Sequence, residues 1–176
     1  MDLKFRTLNA NEIEVRIAMV KENGVSLLLY KDARCDMNIL DETVGPCNWK
    51  REHTRDNANC IVSIWDEDKK QWISKEDTGT ESYTEKEKGL ASDSFKRACF
   101  NWGIGRELYT APFIWVPSDK CNIVDSEYQG KKNYKCTDNF YVAQIFYDEN
   151  KRIVALAINN TKTKKNVFAY DERKKA

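Results

Sequence analysis

The sequence predicts an α+β fold in which an antiparallel three-stranded meander packs on a long helix, giving a β-β-β-α core. Three observations lead to this prediction. Segments rich in β-branched and aromatic residues alternate with polar turns between residues 48 and 75. Apolar residues then recur at helical spacing from about Ser82 to Trp102. Residues 140–170 show the strand–turn–strand pattern of a C-terminal hairpin.

The N-terminal part is predicted to add a helix, a strand and a second helix to this core. Asn9 and Glu12 stand at capping-box spacing, and apolar residues recur at helical spacing between residues 13 and 20. Gly24 is expected to end this first helix. The apolar run that follows is typical of a buried strand, and the second helix is predicted from about Arg34 to Thr43.

Within the central part, the predicted meander strands cover residues 48–55, 59–65 and 71–75. In domain terms, we expect residues 1–117 to form the core domain. Residues 118–139 are expected to be a mobile loop because their sequence is mostly polar, and residues 140–176 to form a hairpin with a basic tail packed on the core.

Composition excludes several classes of protein. A chain of 176 residues is long enough to bury a core without disulfides or metals. It contains no apolar run of about 20 residues and no signal-peptide pattern, so we expect a cytoplasmic protein with no membrane partner. Six separated cysteines and the single histidine, His53, offer no zinc motif, so no metal is expected. The net charge of +1 neither indicates nor excludes nucleic acid as a partner.

Catalytic motifs are also missing from the sequence. It has no phosphate-binding loop of the Gly-x-x-x-x-Gly-Lys-Ser/Thr kind, and Gly103-Ile-Gly105 is interpreted as a helix end. One histidine gives no plausible Ser-His-Asp or Cys-His arrangement. We therefore expect no cofactor and no catalytic residue. A magnesium-dependent nuclease using Asp77, Glu81 and Glu85 stays open as an alternative, as does a structural protein without DNA activity.

Basic residues near the meander and the long helix suggest a nucleic-acid groove. They lie off the apolar stripe of the helix or on the first meander strand: Lys88, Lys96, Arg97, Lys50, Arg51 and Arg55. Aromatic residues that can stack on bases stand nearby in the sequence: Tyr30, Trp49, Trp65 and Trp72. The alternative interpretation is a solvated charged face with aromatic residues in the core.

Several blocks of this pattern resemble a known family. They comprise Tyr30–Gly45 leading to Asn48-Trp49, the strand end Lys75–Gly79, and Glu87–Ala98 continuing to Trp102-Gly103. The order of elements resembles the annealing domain of the recombination mediator of the Rad-fifty-two type. It is more similar still to the Sak-type single-strand annealing proteins of phages, and the match spans roughly residues 16–109.

The resemblance implies roles for particular residues. Lys96 and Arg97 match the helix pair that grips the DNA backbone, Tyr30 matches a strand tyrosine near that groove, and Arg16 matches a basic residue of the first helix. A further helix arginine of the family is replaced here by Phe100.

Function and partners follow from the same resemblance. It implies ATP-independent annealing of single-stranded DNA in recombination by a phage protein, in an oligomeric ring or helical assembly. A phage exonuclease or a single-strand-binding protein is a further expected partner.

Overall fold

The computed structural model describes residues 3–80, 86–128 and 130–175, without the side chains of residues 86–88, 128, 131 and 175. In chain order its strands and α-helices are β1 (Glu14–Lys21), β2 (Gly24–Tyr30), α1 (Ala33–Val44), β3 (Trp49–Thr54), β4 (Asn59–Asp66), β5 (Gln71–Thr78), α2 (Lys86–Trp102), β6 (Ile114–Pro117), β7 (Ile123–Tyr128), β8 (Lys131–Cys136), β9 (Phe140–Tyr147), β10 (Ile153–Asn160) and β11 (Asn166–Asp171).

The described residues are mostly β, with eleven strands in three sheets and two α-helices. This corrects the α+β class that the sequence predicted. Neither α1 nor α2 combines the length and the apolar character that a membrane-crossing helix needs.

The chain folds into two compact units. One, the meander unit, takes its described residues from 1–7 and 32–106, and the other, the six-stranded unit, from 8–31 and 107–176. The expected core domain 1–117 corresponds to neither unit, because residues 8–31 belong to the same unit as residues 107–176.

The meander unit contains the β-β-β-α core that the sequence predicted. Strands β3, β4 and β5 are antiparallel in that order, with Trp49 opposite Ile64 and Ile64 opposite Ile73. On β4 the alternate residues Cys60, Val62 and Ile64 are fully buried. Helix α2 packs against β4 and β5, and its predicted start at Ser82 lies outside the described residues. The local pattern was therefore sufficient for this part of the fold.

The prediction of a first helix was wrong, because the six-stranded unit has a strand in that segment. Its sheet has the antiparallel order β11-β10-β9-β1-β2-β6, and β1 occupies residues 14–21 where a helix was expected. Ile13, Ile17 and Val20 fit a helical stripe, but β-branched residues also favour strands. The antiparallel pairing of β1 with β2, from Glu14 opposite Tyr30 to Lys21 opposite Gly24, decides the outcome.

The helix signals in that segment have other roles. The bond from Asn9 N–H to Glu12 Oε2 is present at 2.8 Å, but it caps only a single 3-10 turn at Ala10–Glu12. Gly24 does not end a helix, because it is the first residue of β2. A Cβ atom at this position would stand 2.5 Å from Val116 O and 2.6 Å from the Trp115 ring, so glycine permits the close approach of β6.

The segment expected to be a mobile loop, residues 118–139, contains the β7–β8 hairpin. Asp138 anchors its base, since its Oδ2 accepts from Asn122 N and from Asn160 Nδ2, each at 2.8 Å. Both strands are largely exposed and polar, so they lack the apolar alternation by which strands are recognised in a sequence.

The C-terminal hairpin was predicted correctly. Strands β9 and β10 pair antiparallel around the turn at residues 148–152, and β11 pairs with β10. The edge strands β6 and β11 also come close together, so the six-stranded sheet nearly closes on itself.

Candidate nucleic-acid interface

Helix α2, which carries the predicted DNA-binding residues Lys88, Lys96 and Arg97, packs its apolar side against the meander. Phe95, Ala98 and Cys99 are fully buried. Trp49 of β3 stacks on Phe95, with ring centroids 6.1 Å apart. Trp102 Nε1 donates to Val62 O of β4 at 3.0 Å. The remaining side chains of α2 are thereby fixed relative to the edges of the sheet.

The predicted helix cations have different environments. Arg97 is exposed, and its Nε lies 3.4 Å from Asp77 Oδ1 on β5. This ion pair is long and partly solvated, so its contribution to stability is small. Lys96 is half-buried. The backbone of Lys88 belongs to α2, whereas its side chain lies outside the described part of the chain.

The predicted strand cations Lys50 and Arg51 point to opposite faces of the meander, because neighbouring side chains alternate along a strand. Arg51 shares the helix side, where its guanidinium carbon lies 4.9 Å from the Phe95 ring centroid. Lys50 lies on the other face, with Nζ 4.7 Å from the Trp72 ring centroid. Arg55 is exposed in the β3–β4 turn with a left-handed backbone, φ 52°.

Arg16 and Tyr30 belong to the six-stranded unit and not to the meander unit. In the β1–β2 ladder Glu14 is opposite Tyr30 and Arg16 is opposite Leu28. Residues opposite each other, and residues two apart on one strand, share a face, so Arg16 and Tyr30 are diagonal neighbours. Both are exposed.

The aromatic residues considered for base stacking separate into two groups. Trp49 is half-buried and already engaged, since it stacks on Phe95 and its Nε1 donates to Asp41 Oδ1 at 2.6 Å. Trp65 and Trp72 lie on the face of the meander opposite α2 and meet edge to face, with centroids 5.5 Å apart. Trp72 is 39% exposed, so it offers the more open ring.

Two cations that the sequence interpretation missed, Lys75 and Arg106, lie at the C-terminal end of α2. Lys75 Nζ and Arg106 Nη2 both donate to Asn101 O, each at 2.8 Å. Arg106 Nε also donates to Phe100 O at 2.7 Å. The available signals were the alternation that places Lys75 on the face of Ile73, and the known preference of cations for helix C-termini.

His53 contributes no positive charge to this surface at neutral pH. Burial, followed by the positive charge of Arg51, lowers the pKa of His53 below its ordinary value. Its Nδ1 lies 3.5 Å from Ser94 Oγ on α2.

The carboxylates of the nuclease alternative are only partly described. Asp77 contacts Arg97 and accepts from Asn101 Nδ2 at 3.2 Å. Glu81 and Glu85 lie outside the described residues. Across residues 3–80, 86–128 and 130–175, no group of three or more histidine, cysteine or acidic residues is arranged to hold a metal ion.

Comparisons of the chain with protein-family models, with curated proteins and with solved structures find no match. The resemblance to annealing proteins therefore rests on the motif residues named above.

Proposed function

We propose that this chain binds single-stranded DNA and anneals complementary strands without ATP, as a phage recombination protein of the Sak type. One observation carries the proposal. Two exposed guanidinium groups lie beside the packed helix and sheet: Arg51 of β3, and Arg97 of α2 itself, whose Nε lies 3.4 Å from Asp77 Oδ1 on β5. Arginine is well suited to phosphate contacts of this kind, which do not depend on base identity.

The chemistry of annealing fits such a surface. Base pairing supplies the free energy, so the protein needs neither a nucleotide-driven step nor a catalytic group. It must neutralise phosphates and leave base edges accessible. Cations held at the rim of a packed helix and sheet meet the first requirement. Tyr30, Trp72 and other partly exposed aromatic side chains offer stacking surfaces that tolerate every base.

Assembly accounts for DNA binding by a chain of net charge +1. A ring or helical oligomer repeats the site along one strand, and linked sites can raise overall affinity by about 10²–10⁴-fold over one site. The proposed setting is the cytoplasm of a bacterial host, with an exonuclease or a single-strand-binding protein acting on the same DNA.

An annealing assay tests this proposal. Complementary labelled oligonucleotides are incubated with the protein, with and without magnesium and ATP. We expect faster annealing in every condition. Magnesium-dependent shortening of the oligonucleotides would instead indicate a nuclease. No binding at low salt would leave the chain as a structural protein and end the proposal.

A further inference from the structure

We propose that Lys75 and Arg106 form a phosphate clamp at the C-terminal end of α2, which extends the DNA site beyond the residues indicated by the family resemblance. This inference rests on the proposed function, because it names further residues for the same ligand, the backbone of single-stranded DNA.

The clamp is defined by a shared acceptor. Lys75 reaches Asn101 O from β5, and Arg106 reaches the same oxygen from the segment after α2, each at 2.8 Å. Two positive groups that bond to one oxygen lie close together, and both side chains are exposed. Two positive charges that share one acceptor oxygen repel each other, and an anion bound between them reduces this repulsion.

The local charge balance is positive. Lys75, Arg97 and Arg106 bring three positive charges around Asn101, and Asp77 brings one carboxylate that already contacts Arg97. The neighbouring Glu76 points to the other face of the sheet, where its Oε1 accepts from Asn59 Nδ2 at 2.6 Å. The C-terminus of a helix adds only about half of a negative charge, so a net positive charge remains.

Donors also remain for a ligand. An ammonium group has three N–H donors and a guanidinium group has five. Among the described residues, hydrogen bonds use one donor of Lys75 and two of Arg106. A phosphate can therefore be bound without breaking the bonds to the helix carbonyls.

Aromatic rings hold both cations in position. Lys75 Nζ lies 4.8 Å from the Trp102 ring centroid, and the Arg106 guanidinium carbon lies 5.4 Å from that of Phe100. Restricting these long side chains before binding lowers the entropy lost on contact with a ligand. Phe100 itself cannot bind phosphate, but the cation above it can.

The clamp continues the surface around Arg97. Asn101 Nδ2 donates to Asp77 Oδ2 at 3.2 Å, and the same carboxylate contacts Arg97 Nε through its other oxygen at 3.4 Å. Cations from β5, α2 and the segment after it therefore gather at one edge of the meander. Such a set fits consecutive phosphates of a strand better than a single small anion.

The test compares salt dependence of binding. The wild-type chain, K75Q/R106Q and the control K69Q/K70Q are titrated with a fluorescent oligo-dT between about 50 and 200 mM salt. The control removes the same charge, but Lys69 and Lys70 already pair with Asp66 and Glu67. Two lost phosphate contacts should reduce the log–log salt slope by about 1.4, from about 0.7 per contact on single strands. The control should change it much less.

Further variants protect the test against misfolding, because Arg106 also bonds to helix carbonyls. K75R/R106K keeps both charges and should keep the wild-type slope. K75Q alone leaves the Arg106 bonds intact and should lose about half of the effect. A folded K75Q/R106Q protein with the wild-type slope, or a control that loses as much, would overturn the clamp alone. Wild type that does not bind oligo-dT would overturn the proposed function and the clamp with it.

Discussion

In the candidate site, the carboxylate of Asp77 offsets part of the positive charge of Arg97. The Arg97 side chain is 49% exposed and that of Asp77 is 26% exposed, so the pair is partly solvated at its 3.4 Å separation. A bound phosphate would compete with this carboxylate for the guanidinium group. We therefore expect the acid to weaken phosphate binding at the proposed site while it orients the arginine.

Removing that competition is expected to strengthen DNA binding. D77N keeps the shape and one oxygen acceptor but removes the negative charge. An exposed ion pair is worth about 0.2–1 kcal/mol, so affinity for oligo-dT should rise by about 1.4- to fivefold. Fluorescence anisotropy at fixed salt measures the change, with D68N in the β4–β5 turn as the charge-matched control. Weaker binding by D77N would show that the carboxylate serves the ligand rather than competing with it.

Cys121 and Cys47 are expected to differ in the reactivity of their thiols. Burial, and then the neighbouring Cys136 thiol, raises the pKa of Cys121 to about 11. Cys47 is exposed. At pH 7.5 fewer than about one Cys121 in a thousand would be thiolate, the reactive form.

We therefore expect iodoacetamide to modify Cys47 rapidly and Cys121 slowly at neutral pH. The labelling rate of Cys121 should keep rising as the pH approaches 11, because the thiolate fraction grows until the pKa is reached. Mass spectrometry of the modified peptides gives both rates. Equal rates at pH 7.5 would contradict the raised pKa of the half-buried Cys121 thiol.

At the scale of the elements, the chain just after β5 approaches α2 closely at Gly79. A Cβ atom there would stand 2.6 Å from Ser94 N and 2.9 Å from Leu90 O, both of the helix backbone. Backbone atoms cannot move aside as a flexible side chain can. Only glycine lets the helix lie this close to the strand end, which keeps the cations of α2 beside those of β5.

Replacing this glycine should separate the two elements. G79A is expected to destabilise the fold by about 1–3 kcal/mol, the usual cost of overpacking, and to lower the melting temperature by several degrees. Thermal unfolding followed by circular dichroism measures the loss. K70A, in the exposed β4–β5 turn, should melt close to wild type. A melting temperature of G79A equal to wild type would show that the helix can move at no cost.

At the scale of the whole molecule, charge and assembly are connected. The chain has 29 basic and 28 acidic residues, so a single copy has little overall electrostatic attraction for DNA. If the proposed function holds, we expect strong binding to depend on repetition of a local positive surface.

Multi-angle light scattering tests this dependence. We expect a large oligomer, and we expect its dilution into monomers to reduce DNA affinity by about 10²-fold or more, because linked sites bind together. A protein that is strictly monomeric at every concentration, and still binds tightly, would refute the role given to assembly.

Local sequence determined the meander, helix α1, helix α2 and the C-terminal hairpin, since each carries its own periodicity or turn residues. It also gave the apolar flank of α2 and the exposed position of Arg97. Tertiary structure decided that residues 14–21 form β1, that residues 123–136 form a hairpin, and that Lys75 and Arg106 share one carbonyl oxygen. The physical reason is common to all three. Each feature depends on hydrogen bonds to residues distant along the chain, or on exposed polar strands, and neither produces a periodic pattern of apolar residues in the local sequence.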